Sequence, residues 1–489
     1  MQSSFRTWPS RFLARPWLLA FVPVNAATSG FGVALPLLIL ISLHGSWVDV
    51  ALSAALYNIA VIVASMVWGY LSDRYTSRRR FLLFTYAAFA LLYVALTQVT
   101  SLPLLYGIYI LIGLIAPAGA SASNLLILEK FTSEERANAY ASFQEMSIVG
   151  GMAGVLGGYF WLLAARPLGP LLYILAALSA MSAAAVWVGI RPPERRVRTF
   201  QVARHPESLA SRLRPGTMQA GFPFFPVRPA FTRVGWTRLR RWIREEAHHE
   251  LPLILAASFL FNLSSNLFNI TYVPYLYAIG IGAASIFLVN FANNFTQGLA
   301  FPISGNLTAR LGADRLVQRS TYVRSLGYLA VAGFTFLPFT VAGGFSANAI
   351  AFAVLGGAIA FYSTGSSMVL FRALEGRDAG SLLGVNSALG GVAAVAGAVL
   401  SGAMSFVGFR ITFLVAAGTL LASLPLWAAA HIAYTRRKSG RPAVVLRSSG
   451  AGASGPPPPT GPPNARGPTV SVDPGAPSPR GGPRSPDKL

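Results

Sequence analysis

Two rows of carboxamide side chains are the most distinctive chemistry in this sequence. Their spacings, i, i+4, i+7 and i, i+3, i+4, i+7, place each row along one face of a helix. The first row is Asn262, Asn266 and Asn269, and the second is Asn290, Asn293, Asn294 and Gln297. A carboxamide offers both hydrogen-bond donors and acceptors, so two neighbouring rows predict a cavity for a neutral polar solute. The alternative is that these amides bond to neighbouring helices.

Two acidic residues are candidates for control of such a cavity. Asp73 lies in the polar segment 69–80, between two long apolar runs. A carboxylate at a membrane surface can stabilise a nearby helix N-terminus or an arginine in one conformation only, so Asp73 is predicted to be a gate. Glu145 lies well inside another apolar run. Because burial favours the protonated carboxyl group, Glu145 is a candidate site for a coupling proton; pairing with an arginine of residues 72–80 is the alternative.

Other kinds of chemistry find little support. The chain has no cysteine, and its five histidines are scattered without an HExxH pattern, so no metal site is predicted. There is no phosphate-binding GxxxxGK[ST] sequence, and the one GxGxxG, at 450–455, lies in a proline-rich stretch. A membrane-embedded enzyme is a further class, but the apolar runs hold no Ser/His/Asp set or carboxylate pair. The sequence therefore predicts neither an enzyme nor a bound cofactor.

The elements that position these residues are membrane helices. The chain is 54% hydrophobic and 11% charged, against about 25% charged residues in soluble proteins. Apolar runs long enough to span a bilayer recur along most of its length. They predict twelve spans, at 18–43, 50–71, 81–99, 103–128, 138–164, 169–190, 251–278, 284–308, 322–340, 346–371, 381–406 and 409–434. The fold class is therefore an all-α membrane protein.

Charge predicts the orientation. The net charge is +23, which in a soluble protein would suggest nucleic acid as a partner. Here the cations fall in alternate loops. If residue 1 is cytoplasmic, only Arg166 and Arg410 of the 39 Lys and Arg face outside. This bias predicts cytoplasmic termini and contact with anionic lipid, not nucleic acid.

The spans divide into two sets of six. Residues 1–190 form the first predicted bundle and 251–436 the second, joined by a basic cytoplasmic linker at 191–250. Residues 437–489 are rich in Gly, Pro and Ser and predict a disordered tail. The division suggests an internal duplication, and a second polar segment, 305–315, does follow span eight.

This arrangement resembles the major facilitator superfamily. The family's loop motif GxLaDRxGRR is matched by Gly69, Leu71, Asp73, Arg74 and Arg78, while Thr76 and Ser77 depart from it. The second copy keeps Gly305, Leu307, Arg310 and Gly312, but Ala309 replaces the acid. The resemblance implies that Asp73 faces the start of span eleven near Gly380, bracketed by Arg74, Arg78 and Arg79. It also implies a gate that is stronger in the first half than in the second.

The expected function is secondary active transport of a small solute across the cell membrane by alternating access, by a monomer. Span five carries Gly150, Gly154, Gly157 and Gly158, similar to the family's antiporter motif, which weakly favours export; helix packing is the alternative. Tyr109 stands where proton-coupled drug exporters carry an arginine. Uptake of a neutral polar solute, and a transporter-like sensor, remain the alternative functions. Aromatic residues beside the amides would suit an amphiphile: Phe268, Tyr272, Tyr275, Tyr277 and Phe291.

Overall fold

A computed structural model describes residues 16–74, 77–130, 133–190, 250–337, 340–373 and 379–438. Twelve long helices make up nearly all of these residues. In chain order they are α1 (Val22–Leu37), α2 (Trp47–Arg74), α3 (Arg78–Leu96), α4 (Leu102–Lys130), α5 (Ser133–Leu163), α6 (Leu168–Gly189), α7 (Glu250–Ala278), α8 (Ala283–Leu311), α9 (Ala313–Phe334), α10 (Val341–Ala373), α11 (Ala379–Met404) and α12 (Phe409–Lys438). The predicted linker and tail lie outside the described residues, apart from Glu250, Arg437 and Lys438.

The first helix is irregular at both ends. A tighter turn, Pro16–Phe21, leads into α1, and a wider turn, Leu38–Ser42, follows it. Pro36 lies just before the wider turn, where its missing N–H and its ring disturb the regular hydrogen-bond ladder. Taken together, residues Trp17–Ser42 make one continuous apolar element.

Nine of the described helices are long and apolar enough to cross a bilayer: α1 to α7, α10 and α12. The amide row makes α8 more polar, and Arg315, Arg319 and Arg324 do the same for α9. The apolar part of α11 is limited to Ala388–Met404. The twelve-span count therefore stays a prediction for these three helices.

One predicted boundary was wrong. The sequence placed span nine at 322–340, with Arg315 and Arg319 in a loop, but α9 runs from Ala313 to Phe334. Gly312 alone separates it from α8, with a φ of +83°, a conformation that favours glycine. The helix that carries these arginines packs against α10 and α12.

The helices pack as two groups of six with a contact surface between them. In the first group α1 packs on α5 and α6, α2 on α4, and α3 on α4 and α6. In the second, α7 packs on α11 and α12, α8 on α10, and α9 on α10 and α12. The main contacts between the groups are α2 with α11 and α5 with α8. We call the end of the molecule where α6 ends and α7 begins the linker side, and the opposite end the far side.

Candidate functional site

The first amide row lies where α7 meets α11. Asn262 Nδ2 donates to the backbone oxygen of Ser258 at 2.8 Å, and Asn266 Nδ2 donates to that of Asn262 at 2.9 Å. Both side chains are partly buried, whereas Asn269 is exposed. A Cβ on Gly397 of α11 would lie 2.8 Å from Cβ of Asn266, so the two helices approach closely at this row.

The second row divides between two neighbours. Asn290 Nδ2 donates to the backbone oxygen of Ile286 at 2.9 Å, within α8. Asn293 Nδ2 donates to the backbone oxygen of Phe352 in α10 at 2.8 Å. Asn294 faces α5 of the other group, since its Nδ2 lies 3.9 Å from where a Cβ of Gly151 would be. Gln297 is partly buried and makes none of the described hydrogen bonds.

These contacts fix what the rows offer chemically. Four amide nitrogens donate to backbone carbonyls, which leaves their Oδ1 atoms without a described hydrogen bond. Those oxygens can accept from the O–H and N–H groups of a polar solute. Asn294 of the second row thus lies against α5 of the other group, and four amides of the two rows keep an acceptor without a described hydrogen bond.

The aromatic residues near the first row are not positioned like a cavity wall. Phe268, Tyr272 and Tyr275 are at most 2% exposed. Phe268 stacks on Tyr328 of α9, with ring centres 4.0 Å apart. Of the five aromatic candidates, these three form part of the core of the second group, while Tyr277 is exposed and Phe291 partly buried.

The far side of the surface between the groups is closed. The rings of Trp47 in α2 and Phe409 in α12 stack with centres 4.6 Å apart. Trp47 Nε1 donates to Ser401 Oγ of α11 at 3.0 Å, and that hydroxyl lies 3.0 Å from Thr271 Oγ1 of α7. The aromatic stack and the hydrogen-bonded indole of the buried Trp47 therefore hold α2 against α11 and α12 of the second group.

The structure describes the first polar segment, 69–80, only in part. The backbone of α2 continues to Arg74, but the side chains of Asp73 and Arg74 and the surroundings of Gly69 and Gly380 lie outside the described part of the structure. Arg78 is 6% exposed at the start of α3. Arg79 donates to the backbone oxygen of Trp187 in α6, and its guanidinium lies 4.5 Å from the Trp187 ring centre. The role of Asp73 stays a prediction.

The second polar segment, 305–315, contributes to an ion pair that the motif alone did not indicate. Gly305 faces open space, and Arg310 is exposed and makes none of the described side-chain contacts. Five residues after Ala309, however, Asp314 accepts two hydrogen bonds from Arg372 of α10, at 2.7 and 2.9 Å. Loss of the acid at 309 therefore does not leave this half without a linker-side carboxylate.

Around this pair lies a cluster of charges from four helices. Arg372 Nη2 lies 3.8 Å from Glu250 Oε2 at the start of α7, and Arg437 Nη1 of α12 lies 3.4 Å from Glu250 Oε1. His431 Nδ1 lies 3.2 Å from Asp314 Oδ2. Burial alone would raise the pKa of Asp314, but the hydrogen bonds and charge of Arg372, with His431 beside it, hold that pKa below its usual value.

Two further candidates, Glu145 and the glycine motif, both lie in α5. Glu145 is partly buried in α5, and a role in proton coupling stays a prediction. Gly150, Gly154 and Gly158 of α5 face neighbouring helices: a Cβ on Gly154 would lie 1.9 Å from the backbone oxygen of Ala26 in α1, and one on Gly158 would lie 2.2 Å from Phe287 of α8. These contacts require small residues whatever the direction of transport.

The structure also shows two features that sequence reasoning missed or left open. Tyr109 stacks on Tyr57 of α2, with ring centres 4.6 Å apart, so an aromatic pair occupies the position where an arginine was sought. Arg324, which lies near the start of predicted span nine and was counted among the cytoplasmic cations, is 3% exposed within α9. The apolar and small residues on both sides of Arg324 were the available signal that it belongs to a packed helix.

A helical membrane protein with two groups of six helices that meet along a contact surface has the architecture of a solute transporter. The family model for the Major Facilitator Superfamily matches residues 17–248 and 253–467. The chain therefore belongs to the major facilitator superfamily, and it is a multi-pass membrane transporter. A search of curated protein sequences finds no match.

Solved structures share the fold at low sequence identity. A crystal structure of the nucleoside transporter NupG superposes with a TM-score of 0.60 and 14% identity, covering 86% of this chain and 98% of NupG. A crystal structure of a single-site NupG mutant, with alanine in place of an aspartate, superposes with a TM-score of 0.61 at 13% sequence identity. That match covers 85% of this chain and 98% of the mutant chain. At this identity the likeness establishes the fold.

Proposed function

We propose that this chain is a secondary transporter that moves a small, neutral, polar solute by alternating access. The observation that carries the proposal is the hydrogen bonding of the two amide rows. Four Nδ2 groups are held by backbone carbonyls, which leaves their Oδ1 acceptors for a ligand, and Asn294 lies against α5 of the other group. No described acid lies in α7, α8 or α11 beyond Glu250 at the start of α7, which disfavours a cationic ligand.

Nucleosides are the first solutes to test. They are uncharged, and their hydroxyl and amino groups can donate to amide oxygens. The similarity to the nucleoside transporter NupG supports the same choice. The α5 glycines, which weakly suggested export, are explained by helix packing, so flux should be measured in both directions.

Closure of the far side fits one state of an alternating cycle. The Trp47–Phe409 stack and the Trp47–Ser401 hydrogen bond hold α2 against the second group. These contacts would have to separate for a solute to enter or leave on that side. We propose that they form the far-side gate, and that Asp73 acts in the gate on the linker side.

The deciding experiment is counterflow of radiolabelled nucleosides in proteoliposomes. Asn294→Ala and Gln297→Ala should each weaken the apparent affinity roughly tenfold, since a lost hydrogen bond to a ligand costs about 1–1.5 kcal/mol. Gln98→Ala is the matched control, because Gln98 is an exposed polar residue on the far side. Counterflow that is absent for nucleosides and other neutral polar solutes would count against transport of this class and favour the sensor alternative.

A further inference from the structure

Arg324 is a buried cation without a carboxylate partner among the described residues. It is 3% exposed in α9. Its Nε donates to Tyr328 Oη at 2.8 Å, and its guanidinium lies 5.3 Å from the ring centres of both Phe261 and Tyr328. Cation–π contacts are weak compared with the cost of placing a charge in the interior of a membrane protein. The described contacts therefore leave much of this charge uncompensated.

The surroundings of Arg324 form a layer inside the second group of helices. Phe261, Arg324, Tyr362 and Trp427 each lie eleven residues from the linker-side end of their helix, or about 16 Å along its axis. Phe261 and Tyr362 stack with ring centres 3.3 Å apart, and Tyr362 meets Trp427 edge-on at 6.1 Å. We call these four residues and Thr321 the Arg324 layer.

Two buried donors in this layer have no hydrogen-bond partner among the residues that the structure describes. Trp427 Nε1 is one, in a side chain 1% exposed, and Thr321 Oγ1 is the other, in a residue with no exposed surface. Thr321 precedes Arg324 by three positions and so lies on the same face of α9. An indole N–H and a guanidinium can only donate, and buried polar groups without partners are rare. The layer therefore has donors and positive charge in excess of acceptors.

The acids of the linker-side cluster do not supply the missing acceptor. Asp314 is held by two hydrogen bonds from Arg372, and Glu250 is contacted by Arg372 and Arg437. Both acids lie in the first turn of their helices, and along the helix axes Asp314 is about 15 Å from Arg324 and Glu250 is about 16 Å from Phe261. A counter-charge for Arg324 must then come from outside this cluster.

We propose that the Arg324 layer binds a small inorganic anion, chloride under cellular conditions. An anion would neutralise the guanidinium and accept hydrogen bonds from Thr321 and Trp427 together. The stacked rings of Phe261 and Tyr362 and the burial of Arg324 suit a monatomic ligand better than a bulky solute. The anion would stabilise the second group of helices, and the proposal holds whether or not the transported solute is a nucleoside.

The test is thermal unfolding of the purified full-length protein in detergent, with sodium chloride replaced by sodium gluconate at constant ionic strength. Wild type should show a saturable rise in Tm with chloride, and bromide should substitute for it. Arg324→Gln should abolish the dependence. Arg319→Gln, which removes an exposed arginine from the same helix, should retain it. Equal Tm values for wild type in chloride and gluconate would overturn the proposal.

Two smaller substitutions keep the test decisive if Arg324→Gln does not fold. Trp427→Phe keeps an aromatic ring and removes the N–H, and Thr321→Val preserves the shape and removes the hydroxyl. Each should raise the chloride concentration that gives half of the Tm shift by at least fivefold. If both variants respond to chloride as wild type does, the donors do not contact the anion and the site is wrong. If only organic carboxylates shift the Tm, Arg324 belongs to a solute site and the proposal fails.

Discussion

Asp314 holds the linker-side ends of several helices together through a single carboxylate. Its two oxygens accept separate hydrogen bonds from the Arg372 guanidinium, at 2.7 and 2.9 Å. This two-bonded geometry is the strong form of the arginine–carboxylate interaction. Arg372 in turn lies over the ring of Tyr434, 3.6 Å from its centre, so the pair ties α9 to both α10 and α12.

Replacing Asp314 by asparagine should destabilise the protein. Asp314→Asn leaves Arg372 with a neutral partner in a mostly buried site, and breaking such a pair costs about 2–4 kcal/mol. We expect a lower Tm in detergent. Arg319→Gln is the control, because it removes an exposed charge from the same helix. A Tm loss no larger than that of the control would show that the Asp314–Arg372 pair contributes little to stability.

The pH dependence gives this prediction a second readout. Because the folded-state pKa of Asp314 lies below its usual value of 3.8, the stability it contributes is present above about pH 3.8 and is lost as the pH falls through the lower folded value. The difference in stability between wild type and Asp314→Asn should therefore shrink at acid pH. An undiminished difference between the two proteins at pH values well below 3.8 would contradict the assigned ionisation.

Asp73 is the matching acid of the first half, and its predicted role is kinetic. Asp73→Asn should reduce the transport rate, because a neutral amide cannot hold the conformation that a carboxylate stabilises at a helix N-terminus. Membrane insertion and yield should stay unchanged. The measurement is the initial counterflow rate in proteoliposomes at equal protein density. Wild-type rates in the variant would refute the gating role.

At the scale of elements, the glycines of α5 set how closely helices approach. Gly154→Ala would place a methyl group 1.9 Å from the backbone oxygen of Ala26, so α1 and α5 must separate. Overpacking of this kind costs about 1–3 kcal/mol. Gly157→Ala is a matched control three residues along the same helix, where nothing lies within 4 Å. A lower Tm for the first variant only is the expected result; equal effects would exclude the close crossing.

The sequence predicted most helices because their apolar lengths are local properties. Eleven of the twelve predicted spans coincide with helices to within several residues at their ends. The exception, α9, carries Arg315, Arg319 and Arg324, and its helical start depends on packing against α10 and α12. Such partners are distant in sequence, so hydropathy alone assigned the first two arginines to a loop.

The candidate site shows the same division between local and distant information. The spacing of each amide row predicted the helix face that it occupies. Asn262 and Asn290 bond to carbonyls four residues earlier, a local contact that such side chains commonly make. The bond from Asn293 to Phe352 in α10 joins distant segments, and spacing could not reveal it. For the same reason the Asp314–Arg372 pair escaped the motif comparison.

At the scale of the whole molecule, the two groups of helices face each other with their far sides in contact. The two cations predicted to lie on the far side are both held by aromatic rings. The Arg166 guanidinium lies 4.9 Å from the ring centre of Trp161, and that of Arg410 lies 3.5 Å from that of Phe336. The remaining arginines of the described helix ends gather on the linker side, as the positive-inside rule would require if that side is cytoplasmic.

This orientation can be tested directly because the chain has no cysteine. Gln98→Cys and Thr340→Cys place exposed thiols on the far side of the first and second groups, while Arg80→Cys and Thr435→Cys do so on the linker side. A membrane-impermeant maleimide should label the first two variants in intact cells. The other two should react only after permeabilisation, and the cysteine-free parent is the control for background labelling.

The design also tests the span count, which hydropathy left open for α8, α9 and α11. Gln98 and Thr340 are separated by six predicted spans, α4 to α9, so they share one side of the membrane only if the number of crossings is even. Were α9 not to cross the bilayer, Thr340 would be labelled together with Arg80 rather than with Gln98. Matching accessibility of Gln98→Cys and Thr340→Cys would exclude a topology in which only one of α8 and α9 crosses the bilayer.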